Sequence, residues 1–324
     1  MRSTRAATLP GKSLAIYEPI SGLVRDLVLE ENAHTQERAL LDQVDVEPGQ
    51  LWIMDRNFCV RSFLFGILRS GAFFLVRRHA SCLPFEPIGP LRSVARCEAG
   101  DLFEQPIWVD DPECEGRRYR LRRIVLRLDR PTREGETEIV LITNLPGEIK
   151  ASLCCEVYRG RWEIERHFQK LTDLLHCEIP DLGYPRAALF AFGMSVLAGN
   201  ALAVLTGSLR AVHGDEMVGE LSAHALVNEV AEVYPGMMIA VPPTEWMFLE
   251  DCSASQVAEL LKGLADRVPI ERMLRSRRGP KRPRKARGSP GSRIHHVATK
   301  KLLDASKGVA PEGSARPNRG RIRS

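Results

Sequence analysis

Asp55 closes the apolar run Leu51-Trp-Ile-Met54 and is followed by Arg-Asn-Phe58. An acid at the carboxyl end of a buried strand sits where open α/β sheets place their ligands. There a carboxylate can project into a cleft and hold a divalent cation. The competing reading is an aspartate that caps the turn after the strand. A second group lies in Tyr158-Arg-Gly-Arg-Trp-Glu-Ile-Glu165, where residues 158, 161 and 165 are spaced i, i+3 and i+7. At about 100° per residue these three share one face of a helix. A phenol, a guanidinium and a carboxylate would then point at one target. The competing reading here is an Arg161–Glu165 ion pair on a solvated face, worth about 0.3–0.5 kcal/mol.

The order of these features narrows the choice. An acid ends a strand, a β-rich stretch follows, and then comes a helix with Tyr-x-x-Arg-x-x-x-Glu. This order resembles the DDE transposases of bacterial insertion sequences, and within them the insertion-sequence-four family. That family's signature is Tyr, two residues, Arg, three residues, Glu, six residues, Lys. Tyr158, Arg161 and Glu165 fit it, whereas the lysine position holds Thr172 and Lys170 is the nearby candidate to replace it. Leu9-Pro-Gly-Lys12, Thr143-Asn-Leu-Pro146, Leu182-Gly-Tyr-Pro185 and Arg278-Gly-Pro-Lys281 are similar to further phrases of the group. The resemblance runs over residues 8 to 305.

The resemblance implies an RNase H-like α/β core with a β-strand insertion before the last catalytic helix. It implies Mg²⁺ as cofactor, replaceable by Mn²⁺, with Asp55 and Glu165 as catalytic ligands. It also implies double-stranded DNA as partner: the terminal inverted repeats of an element and its target. Arg161 would contact a phosphate bidentately, and Tyr158 and Lys170 would lie against the DNA end. Two copies would meet in a synaptic complex, in the bacterial cytoplasm and on the nucleoid. The family's first catalytic aspartate precedes the Leu-Pro-Gly-Lys phrase. Only eight residues precede Leu9 here, and none is acidic. The expectation is therefore a chain with two of three metal ligands and weak or no cleavage. It is either a remnant or a polypeptide whose start is assigned too far downstream. The alternatives are a non-catalytic DNA-binding protein and a metal-dependent nuclease on the same fold.

The elements that must position these residues follow from periodicity. Ser13–Tyr17, Gly22–Leu29, Leu51–Met54 and Ala72–Val76 read as strands, and Thr35–Val44 and Val60–Arg69 as helices. Such alternation predicts a layered α/β core. Arg117–Leu128 and Glu136–Thr143 read as a hairpin around a polar turn. Ile149–Leu175 reads as one long amphipathic helix, and another helix is expected around Ser222–Val233. The expected organisation is a first part of the catalytic core over 1–81, a β-rich insertion over 82–146, a helical remainder over 147–271, and a basic tail over 272–324.

Composition sets outer bounds. The net charge of +5 joins two unlike parts. Residues 272–324 hold 17 Lys/Arg against two acids, a net of +15, and the first 271 residues are at −10. An acidic body with a basic tail is not a uniformly basic nucleic-acid binder. The run containing Arg277, Arg278, Lys281, Arg282, Arg284, Lys285 and Arg287 is expected to be disordered and to contact DNA phosphates without reading sequence. Eight cysteines occur without a CxxC pair or zinc-ligand spacing, which argues against a structural zinc and for reduced thiols. Ala187–Leu209 is uncharged and long enough to span a bilayer, but its many small residues suggest a buried, closely packed helix.

Overall fold

The computed structural model describes residues 11–79, 82–111, 113–132, 135–175 and 184–275. The basic run expected to contact phosphates lies outside them. The chain divides into two compact units, Gln36–Gln169 and Met1–Thr35 with Lys170–Ser324.

In the second of these, β1 (Lys12–Glu18) and β2 (Leu23–Glu30), both expected as strands, form a two-stranded antiparallel hairpin. Gly11 precedes β1 where a Cβ would stand 2.5 Å from the Glu30 carbonyl oxygen, so only glycine fits.

The Gln36–Gln169 unit opens with a 3-10 helix, Glu37–Gln43, where the sequence suggested an α-helix. β3 (Leu51–Met54) follows, then α1 (Arg61–Arg69) and β4 (Phe73–Arg77). β3 and β4 are parallel, so this is a βαβ unit. After them come β5 (Glu86–Pro87), β6 (Arg92–Cys97), β7 (Gly100–Asp110), β8 (Arg118–Leu128) and β9 (Glu138–Thr143). The strands expected as an insertion pair into the same sheet as β3 and β4. Its order is β3-β4-β9-β8-β7-β5, with β6 also on β7. The seam is β4 against β9, antiparallel, with Val76 opposite Ile142. Two side chains rivet it. Asn144 accepts from the Phe74 amide at 2.7 Å and donates to the Ala72 carbonyl at 2.9 Å. The Thr143 hydroxyl donates to the Phe74 carbonyl at 2.5 Å. The Thr-Asn-Leu-Pro phrase is therefore a strand staple.

Period-2 alternation sorts the core into two faces. Phe74, Val76, Leu121 and Ile142 point to the side that α1 covers with Leu64, Phe65 and Ile67. Leu75, Ile124, Leu126 and Leu141 point to the other side. That side is covered by α2 (Ala151–Arg159), through Ala151 and Cys154. A 3-10 turn, Gly160–Trp162, leads from α2 into α3 (Glu163–Leu175), so the expected single helix is tightened in its middle.

The Met1–Thr35 and Lys170–Ser324 unit continues with α4 (Pro185–Gly219), α5 (Ala223–Ala240) and α6 (Ala254–Ala265). Within α4, Gly214 has φ 82°, a left-handed value that glycine adopts cheaply, and the helix kinks there. Asn200 of α4 accepts from the Val24 amide and donates to the Val24 carbonyl, both at 2.9 Å, which docks the helix on β2. Ser222 caps α5, and Ser253 with Gln256 forms a capping box at α6. Leu209, Leu226, Ile270 and Met273 make a small separate core.

The expectation of a buried, close-packed α4 is not met within the described residues. Only 22% of its most apolar window is buried. Phe190, Met194, Leu197 and Val204 are exposed, while the opposite stripe, with Leu189 and Val196, is covered. Small residues gave it a helix-packing composition, but the packing partner covers a single face. By length and hydropathy this is the one helix among the described residues that could cross a membrane.

Candidate active site

Asp55 sits where β3 ends and a short 3-10 turn, Arg56–Phe58, begins. It occupies the capping position of that turn, but its side chain accepts no capping hydrogen bond. The turn is closed by backbone instead, with the Phe58 amide donating to the Asp55 carbonyl at 3.0 Å. The carboxylate is thus left available for another task, which weakens the capping reading.

Tyr158 reaches it from 103 residues away, with its hydroxyl 3.5 Å from Asp55 Oδ1, the outer limit of a hydrogen bond. Burial, then the Asp55 charge, push the Tyr158 phenol up to about 12, against the opposing pull of Arg161 and Arg77. The phenol is therefore neutral at physiological pH and remains a hydrogen-bond donor.

The Gly160–Trp162 turn has a consequence for this face. In a 3-10 turn, residues i and i+3 eclipse one another. Tyr158 and Arg161 are therefore drawn closer in angle than in a regular helix, and the Arg161 charge acts to lower the Tyr158 pKa. Arg161 Nη1 also donates to Glu165 Oε1 at 3.1 Å. This is an i,i+4 ion pair, yet its guanidinium is only 17% exposed, while the Glu165 carboxylate is 48% exposed. Its order, cation before acid, is also the weaker one for helix stability. Arg161 Nε is buried without a partner.

Lys170 is exposed on α3, about 140° around the helix from Glu165 at 100° per residue. Thr172 lies seven positions after Glu165 and so returns to its face. Tyr158 with Asp55 and Arg161 with Glu165 thus form two contacting pairs in one compact unit, whereas Lys170 faces elsewhere on its helix.

Sequence reasoning missed the cations that hold this region in place. Arg77 ends β4, and Arg77 and Arg56 both pair with the Glu136 carboxylate, Arg56 at 3.1 Å. Arg122 on β8 grips Glu104 through two bonds, at 2.7 and 3.1 Å. It also donates to the carbonyls of Pro146 at 2.6 Å and Ile149 at 2.8 Å. It thereby fixes the loop that leads into α2, and α2 carries Tyr158. One arginine among five on a strand gives no signal in the sequence. Trp162, 54% exposed beside Arg161, was also passed over.

A hard divalent cation such as Mg²⁺ prefers carboxylate oxygen, and the Asp55 and Glu165 carboxylates match that preference. Among the described residues no group of three His, Cys, Asp or Glu side chains is arranged to hold a metal ion. The donors fit Mg²⁺ in kind but do not complete a site.

The family model of the transposase DDE domain matches residues 9–198 of the chain. No curated protein matches it. The matched span contains Asp55, Tyr158, Arg161, Glu165 and Lys170 and leaves out the basic run after Arg272.

Proposed function

The chain belongs to the transposase DDE domain family, and from that premise we propose that it binds insertion-sequence ends and takes part in metal-dependent strand cleavage and transfer. The fold proposed is RNase H-like: the parallel β3-α1-β4 unit with an acid after β3, and α2 laid across the sheet. The family resemblance read from Tyr158, Arg161 and Glu165 supports placing it with the insertion-sequence-four group.

The observation that carries the reading is the convergence of Tyr158 on Asp55, with Arg161 paired to Glu165 and its charge acting on Tyr158. Asp55 and Glu165 would hold Mg²⁺, or Mn²⁺ in its place. Bound there, the metal would supply a charge that activates the attacking oxygen and steadies the leaving one. Arg161, desolvated on one side and tied to Glu165, would swing one N–H edge to a phosphate oxygen. Tyr158, kept neutral, would donate to an oxygen at the DNA end rather than accept from it. Lys170 and the basic residues Arg277, Arg278, Lys281, Arg282, Arg284, Lys285 and Arg287 would add phosphate contacts that carry no base code. Two copies would be needed to bring two DNA ends together, and the site of action would be the cytoplasm.

One observation favours a second reading, a protein that binds DNA without cutting it. Two carboxylates without a third ligand among the described residues bind Mg²⁺ weakly. One experiment separates the two. Mn²⁺ titration and cleavage of terminal-repeat DNA are compared for wild type, Asp55→Asn and Glu165→Gln. Weak Mn²⁺ binding that both substitutions abolish is the expected result. Cleavage lost with them supports the enzyme, and DNA binding without cleavage supports the binder. Mn²⁺ binding and cleavage unchanged in both variants would refute the site.

A further inference from the structure

On the sheet face that α1 covers, two guanidiniums converge on one ring. Arg78 Cζ lies 4.7 Å and Arg123 Cζ 5.3 Å from the centroid of Phe85. Both are inside cation–π range, so a single quadrupole serves two like charges.

The neighbours of Arg123 contrast with those of Arg122 beside it. Strand alternation sends the two to opposite faces. Arg122 meets a carboxylate, Glu104, at 2.7 Å. Arg123 meets Gln105, its directly opposed residue on β7, whose Oε1 accepts from Arg123 Nη1 at 2.9 Å. Gln105 is 6% exposed, and its amide donates to the Gly89 carbonyl at 2.6 Å. An amide there orients the guanidinium without neutralising it. Among the described residues no carboxylate is ion-paired with Arg123, and its Nε is buried with no hydrogen-bond partner. Glu138, the acid whose charge acts favourably on it, is paired to Arg127 at 2.8 Å. Burial first, then Arg78, pull the Arg123 guanidinium below its ordinary pKa, while Glu138 opposes them.

A half-buried cation beside a second one and held by a neutral amide is stabilised most by an anion. Oxygen of a phosphate group has the right chemistry, because it can take planar guanidinium donors in pairs. We propose that Arg78, Phe85 and Arg123 form an oxyanion site for a phosphate group, with Gln105 as the residue that positions Arg123. The phosphate belongs to a DNA backbone if the transposase reading holds, and to a free phosphate compound otherwise. The site rests on local geometry and is separate from Asp55, Tyr158 and Glu165.

The test uses the full chain with two probes: a mixed-sequence duplex DNA across a salt series, and inorganic phosphate at constant ionic strength with thermal unfolding as readout. In wild type, phosphate raises Tm as expected for a ligand that binds the native state. Arg123→Gln and Gln105→Glu lose that rise. The second variant keeps both guanidiniums and supplies an internal carboxylate, at the cost of the Gly89 hydrogen bond. If the phosphate comes from DNA, Arg123→Gln also weakens duplex binding equally for all sequences and lowers the salt slope by about 1. Arg118→Gln is the control. Arg118 is an exposed cation already paired with Glu86 and Asp110, and its loss leaves the Tm response and the slope unchanged. Phosphate protection lost in both variants, with no DNA binding by wild type, keeps the site and removes the transposase reading. A phosphate response equal in wild type, Arg123→Gln and Gln105→Glu overturns the site whatever the DNA result. No phosphate response in wild type, with a duplex slope that Arg123→Gln leaves unchanged, overturns it as well.

Discussion

The two compact units solve the burial problem to different degrees. In Gln36–Gln169 a seven-stranded sheet is covered on one face by α1 and on the other by α2. Phe65, Ile67, Phe74, Leu75, Val76, Ile124 and Ile142 are fully buried. In Met1–Thr35 with Lys170–Ser324, a hairpin lies on one stripe of α4 and a modest cluster joins α4, α5 and α6. Phe190, Leu197, Tyr234 and Ile239 stand in solvent among the described residues. The residues of the proposed active site sit in the densely packed unit. Chemistry that needs fixed distances belongs where packing removes alternatives. The second unit holds its helices by caps and by a few polar contacts such as Asn200 on β2.

The largest expected effects would break this contrast. Phe74→Ala in the sheet should destabilise by about 3–5 kcal/mol, through lost burial and the cavity left behind. Phe190→Ala on α4 should stay within about 0.5 kcal/mol, because little is buried to lose. Chemical denaturation of both variants measures the difference. A comparable loss at Phe190 would mean that the exposed face of α4 is covered in solution.

A smaller effect sharpens the contrast inside the packed unit. Arg122→Ala should cost about 2–3 kcal/mol, since Glu104 and the carbonyls of Pro146 and Ile149 lose a charged donor. It should also loosen the entry to α2. Hydrogen exchange of the α2 amides is the check, and faster exchange confined to this helix and its loop is the expected outcome.

The smallest effect is a pH response. Tyr158 ionises near 12 in the folded chain and at an ordinary value near 10 when unfolded. Its contribution to stability is therefore complete below about pH 10 and is lost as pH rises from there to about 12. Ultraviolet titration should show a phenol step near 12, and Tyr158→Phe should remove that step. Ionisation of Tyr158 near 10 would show that its burial beside Asp55 is not maintained.

Several of these features were legible in the sequence. The period-2 runs of β2, β8 and β9 and the apolar block of β3 mark strands because side chains alternate whatever the fold. The Tyr-x-x-Arg-x-x-x-Glu spacing marks a shared helix face for the same kind of local reason. What spacing could not give is the 3-10 turn at Gly160–Trp162. A helix pattern reads alike whether one turn is regular or tightened. Nor could composition tell that α4 would be covered on one side, since small residues suit close packing but do not supply a partner.

Local sterics and hydrophobic period thus determined which segments are strands and helices, and which candidate side chains share a face. Tertiary structure alone decided that Tyr158 meets Asp55 across 103 residues, and that the strands after Leu83 extend the sheet that holds Asp55. It also decided that Arg122 meets a carboxylate while its neighbour Arg123 meets an amide. Those outcomes depend on which strands lie side by side. Strand pairing is set by burying both faces of the whole sheet at once, and no local stretch of sequence records it.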